Sequence, residues 1–108
     1  MTDNAFDILV PDAMKYLAAK QIGGGVYFDI PGSNNVAFLR IMKGYSHPTE
    51  VCFNIDVAPQ GSNQATGYFF HFADGLEGLK QYLLDPHNAG PVKKAIRELN
   101  EAVNNRDG

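Results

Sequence analysis

Cys52 and His71 are the two side chains in this sequence best suited to covalent chemistry. A thiol beside an imidazole makes a nucleophile and its base, with Asn54 or Asp56 available to orient the ring. Both residues interrupt runs of alternating hydrophobicity. If those runs are strands paired core to core, Cys52 and His71 share the outer face of a sheet. One register sets them side by side; the other sets Asn54 opposite His71. An open sheet face offers no water exclusion, no oxyanion hole and no helix N-terminus to favour a thiolate. The pair therefore reads as an ordinary strand cysteine near a histidine, and the chain as a non-enzyme.

His47 and His87 each stand beside a proline in a connecting segment. They could join His71 around a metal only if two distant loops converged on the sheet, and no H-x-x-x-H or C-x-x-C spacing supports that. A single cysteine excludes a multi-cysteine metal site and an internal disulfide. Gly23-Gly24-Gly25 precedes a strand, whereas a phosphate-binding loop opens a helix. Gly90-Pro91 reads as a helix start. No metal and no cofactor are expected.

The elements that must position these residues follow from periodicity. Phe6, Ile8 and Val10 alternate and read as a short edge strand, after which Pro11 opens a helix to Lys20 with Met14, Leu17 and Ala18 on one face. Gly23–Gly25 stops it. The period then changes to two: Val26–Ile30, Val36–Lys43, Val51–Val57 and Tyr68–Phe72 are strands, separated by turn-rich segments such as Pro31–Asn35 and Pro59–Gly67. Asp74 with Glu77 makes a capping box before Leu76, Leu79 and Leu83, and Pro86 ends that helix. Pro91 opens a last helix bearing Val92, Ile96, Leu99 and Val103, with Asn104–Gly108 expected to fray. The expectation is one α+β domain over residues 1–108: a four-stranded antiparallel meander with an N-terminal helix and two C-terminal helices packed on one face.

Composition narrows function further. The chain has 108 residues, 44% hydrophobic and 19% charged, enough for one modest core. Its net charge of −3 is spread evenly, with four bases and five acids in residues 1–54 and five and seven in residues 55–108. No basic stripe exists to grip nucleic acid or anionic lipid, and no apolar run approaches a membrane span. The start lacks a secretory pattern and the cysteine is unpaired, so a cytoplasmic location is expected.

The strand pattern sends Val51, Phe53, Ile55 and Val57 inward and Cys52, Asn54 and Asp56 outward. Tyr68, Phe70 and Phe72 should be buried, as should Ala37, Leu39 and Ile41. The outer face then combines Tyr27, Phe38, Met42 and Phe69 with Arg40, Asn54, Asp56 and His71. An aromatic patch rimmed by polar groups is a partner-binding signature, for a second copy of the chain or another protein. Single-stranded RNA readers also expose aromatics on a four-stranded sheet, but they add basic neighbours and an RNP motif that are missing here.

From Phe72 onward the order of features resembles that of small phage anti-CRISPR proteins with an antiparallel sheet and two C-terminal helices. The elements are the aromatic strand end, Asp74–Glu77, Leu79 with Tyr82, the Pro86–Pro91 break, and a charged helix from Glu98 to Asn105. The resemblance covers the last third of the chain. It implies a non-catalytic inhibitor from a phage or mobile element that occludes a host nuclease or nucleic-acid-binding complex. A toxin-neutralising immunity protein has the same size, acidity and lack of catalytic motif. A small enzyme or ligand-binding domain using Cys52 and His71 is the competing class.

Overall fold

The computed structural model describes residues 2–107. In chain order the elements are α1 (Thr2–Ala18), β1 (Gly25–Asp29), β2 (Asn35–Lys43), β3 (Val51–Pro59), β4 (Thr66–Phe72), α2 (Leu76–Leu84), a 3₁₀ turn (Pro86–Asn88) and α3 (Ala89–Asp107). The four strands form one antiparallel sheet in the order β1-β2-β3-β4. This is the α+β meander that the alternating pattern calls for. Among the described residues, no helix is long and apolar enough to cross a membrane.

The first element differs from expectation. Phe6–Val10 is helical, not an edge strand, and Pro11 lies inside α1 instead of opening it. Proline there removes one main-chain hydrogen bond and crowds the preceding turn, at a cost of about 3 kcal/mol. The helix persists because Phe6, Val10, Met14 and Leu17 form one continuous stripe across the proline, and all four are buried. Ile8, the middle residue of the supposed alternation, points to solvent. Three residues were too short a window to distinguish the two periods.

Inner-face residues of β2 and β3 join the three helices in one core. Ala37, Leu39, Ile41, Phe53, Ile55 and Val57 pack with Met14, Leu17, Leu79, Leu83, Val92, Ile96 and Val103. α1 lies against β1 and β2, while α2 and α3 lie against β3 and β4. Strand four is less well covered. Phe70 and Phe72 are only partly buried, and Tyr68, expected in the core, is 53% exposed. It stands at the sheet edge, its ring edge-on to Phe70 at 5.1 Å, beside an open groove of about 450 Å³ between β4 and α3.

Helix ends also depart from the sequence reading. The N-cap of α2 is Gly75, at φ 88°, with no side-chain cap bond, so the Asp74–Glu77 capping box does not form. Positive φ favours glycine there, and an added Cβ would also press on the Thr49 carbonyl at 3.1 Å. Asp85 caps the 3₁₀ turn by accepting from the His87 N–H at 3.0 Å, and α3 begins at Ala89, leaving Pro91 in its first turn. The expected fraying at Asn104–Gly108 is not seen through Asp107; Gly108 lies outside the described residues. Buried Val103, the Asn35 Nδ2 to Asn104 Oδ1 bond at 3.0 Å, and Arg106 donating to the Gln64 carbonyl at 2.9 Å hold this end.

Candidate functional site

Among the described residues, the helices occupy one face of the sheet and none covers the other. Alternation puts Val36, Phe38, Arg40 and Met42 of β2, Cys52, Asn54 and Asp56 of β3, and Phe69 and His71 of β4 on that outer face. The observed register pairs Tyr27 with Phe38, Phe38 with Asp56, Arg40 with Asn54, Asn54 with Phe69, and Cys52 with His71. Of the two registers allowed by sequence, it is the one that sets the thiol beside the imidazole.

At the β1–β2 side the face is aromatic. Tyr27 and Phe38 stack at a tilt with centroids 5.6 Å apart, and the Arg40 guanidinium lies 5.4 Å from the Phe38 ring centre. Tyr27 is 68% exposed and Phe38 40%. With Val36, Ala58 and the 59–65 loop they border a groove of about 450 Å³. Across β3, Phe69 is 44% exposed.

The centre is polar and tightly paired. Arg40 Nη2 donates to Asp56 Oδ2 at 2.7 Å, and Asn54 Nδ2 donates to the same oxygen at 2.7 Å. A carboxylate shared by a guanidinium and an amide is a charge-assisted arrangement. Arg40 and Asp56 are thereby joined across β2 and β3. Asn54, proposed from sequence as a contact residue, is only 1% exposed. Side chains from both flanking strands bury it, so it forms the floor of the face. Its Oδ1 and the Arg40 Nε are buried without a protein partner.

At the β4 end, Cys52 Sγ and His71 Nδ1 are 3.4 Å apart, and the same nitrogen is 3.4 Å from Glu50 Oε2. The other carboxylate oxygen, Oε1, accepts the Tyr45 and Ser46 N–H groups at 3.1 Å each. Burial raises the Cys52 pKa above that of a free thiol, and the nearby Glu50 carboxylate adds to it. A catalytic cysteine is prepared in the opposite sense, by cationic neighbours or a helix N-terminus. The pair has the contact geometry of a nucleophile and base without the electrostatics of one.

Glu50 is the residue that sequence reading missed. It lies two positions before Cys52, so the strand alternation itself places it on the outer face. The alternating apolar run begins at Val51, which leaves Glu50 just outside it. His87 is instead bonded to Asp85 at 3.1 Å, and His47 offers its carbonyl to the Glu50 N–H at 3.1 Å. Comparison with protein-family models, curated proteins and solved structures gives no match to any of the three.

Proposed function

We propose that this chain is a non-catalytic protein-binding module whose outer sheet face docks on a partner protein and blocks it by occlusion. One observation carries the reading: Tyr27, Phe38 and Phe69 are large aromatic side chains left 40–68% exposed on a sheet face with no helix over it. Aromatic and Arg side chains contribute most when they are desolvated at the centre of an interface. Arg40, held by Asp56, is pre-organised for that role and loses little freedom on docking.

Charge points to the class of partner. At the face itself Asp56 is paired with Arg40 and Glu50 is buried, so the charge that acts at a distance is the chain's net −3. An acidic protein is steered toward a basic surface, such as the one a nuclease or nucleic-acid-binding complex presents to its substrate. The resemblance of the last third to phage anti-CRISPR proteins supports the same class. An inhibitor of this kind, encoded by a phage or mobile element, would work in the cytoplasm of its host, where an unpaired cysteine is stable.

The test uses the intact chain as bait with Phe38→Ala, Phe69→Ala and Glu98→Lys variants, each checked for native far-ultraviolet circular dichroism. A partner held by the outer face binds Glu98→Lys normally and loses about 1–3 kcal/mol of affinity with each alanine variant. Sedimentation of the chain alone distinguishes a second copy from a different protein. Unchanged binding by both alanine variants, or loss only with Glu98→Lys, rejects this surface.

A further inference from the structure

Glu50, Cys52 and His71 bring a carboxylate oxygen, a sulfur and an imidazole nitrogen within 4.8 Å of one another. We infer that these three side chains form a zinc-binding site with a fourth, solvent-facing position. The inference stands apart from the partner-binding reading, since it needs no second protein.

The spacing is the first argument. Tetrahedral zinc holds sulfur at about 2.3 Å and nitrogen or oxygen at about 2.0–2.1 Å, which sets neighbouring ligand atoms about 3.3–3.6 Å apart. The two separations that meet at His71 Nδ1, to Cys52 Sγ and to Glu50 Oε2, are both 3.4 Å. Two edges of the coordination polyhedron are thus already in place, and the third, between Cys52 Sγ and the Glu50 carboxylate, lies within 4.8 Å.

The support around Glu50 is the second. Its Oε1 is occupied by the Tyr45 and Ser46 N–H groups, so the carboxylate is fixed with Oε2 turned to the cysteine and histidine. Outer contacts of this kind orient a metal-binding carboxylate. Gly44 clears the room for it: a Cβ at this position would overlap the Glu50 carboxylate. Glu50 is buried, Cys52 is 1% exposed, and His71 stands at the exposed rim. Two ligands form the floor, and an ion enters from the His71 side.

The donor set selects the metal. One thiolate with one imidazole excludes calcium and magnesium, which take oxygen shells, and suits zinc. On binding, the Cys52 S–H proton leaves to solvent and the sulfur lone pair bonds the metal, with no change of oxidation state. Cross-linking β3 to β4 in this way ties the least covered strand to the centre of the sheet.

The experiment titrates the metal-free full chain with Co²⁺ as a spectroscopic probe, followed by competition with Zn²⁺. The expected result is one equivalent bound, with a sulfur-to-cobalt charge-transfer band and the visible bands of tetrahedral Co²⁺. Cys52→Ser should abolish the charge-transfer band. His71→Ala, at an exposed position that leaves the fold intact, and Glu50→Gln should each weaken Zn²⁺ at least tenfold. Saturating Zn²⁺ should raise the melting temperature of the natural chain and not that of His71→Ala. Absence of the charge-transfer band in the natural chain, or equal Zn²⁺ affinity in His71→Ala, overturns the site.

Discussion

The two faces of this sheet solve burial in different ways. On the inner face, Ala37, Leu39, Ile41, Phe53, Ile55 and Val57 are closed off by three helices in one apolar cluster, with Asn35 at the start of β2 bonding Asn100 and Asn104 of α3. On the outer face no helix lies above, yet Cys52 and Asn54 are buried as deeply as the core. They are covered from the sides, by Met42 and Arg40 on one neighbouring strand and His71 and Phe69 on the other. A central strand can therefore bury residues on its open face with long side chains alone. Polar groups placed there draw on one another: Arg40 and Asn54 both donate to one Asp56 oxygen and Glu50 collects two backbone N–H groups, while Asn54 Oδ1 and Arg40 Nε stay buried without a partner among the described residues.

That contrast predicts graded losses of stability. Phe53→Ala, in the inner face against Phe70 and Tyr82, should cost the most, about 3–5 kcal/mol by urea unfolding. A loss below 1 kcal/mol would mean the helices do not seal that face. Asp56→Ala on the outer face should cost about 1–2 kcal/mol, because it strands both the Arg40 guanidinium and the Asn54 amide. If Asp56→Ala is neutral, the polar centre is solvated and the comparison fails on that side.

Phe69→Ala should lower stability by less than about 1 kcal/mol, since its ring is half in solvent and its loss leaves no sealed cavity. A core-sized effect would show that the aromatics hold the sheet together and are not free to dock. The smallest change belongs to a pair outside both faces, Lys93 Nζ donating to Asp7 Oδ1 at 2.8 Å between α3 and α1. That bond and the Lys93 charge lower the Asp7 pKa below its ordinary 3.8. A depressed carboxylate pKa stabilises the fold above the unfolded value, and the contribution disappears as pH falls through the folded value. The stability difference between the natural chain and Asp7→Asn should therefore be small at neutral pH, shrink with added salt, and vanish in acid once pH has fallen through the lowered folded-state value.

Sequence alone determined the sheet. Strict alternation in Val51–Val57 and its echoes in the other three strands specified strand number, inner and outer sets, and the side on which the helices sit, because period two leaves one apolar face to cover. The same logic placed Tyr27, Phe38, Arg40, Asp56, Phe69 and His71 outside; in the fold Tyr27, Phe38, Phe69 and His71 are exposed, and Arg40 and Asp56 are half-buried. What sequence could not supply was anything decided by a distant neighbour. Helix α1 runs through Pro11 because its stripe packs on α2, α3 and the first two strands, a gain larger than the local cost of the proline. The last turn of α3 holds because Asn35 and Gln64, far away in the chain, receive it. Asn54 and Glu50 lie within a polar pattern that reads as exposed, and only lateral cover by the flanking strands and loop buries them. Local pattern records which face a residue takes; how deep it lies, and what it touches there, depends on side chains that the fold brings from elsewhere.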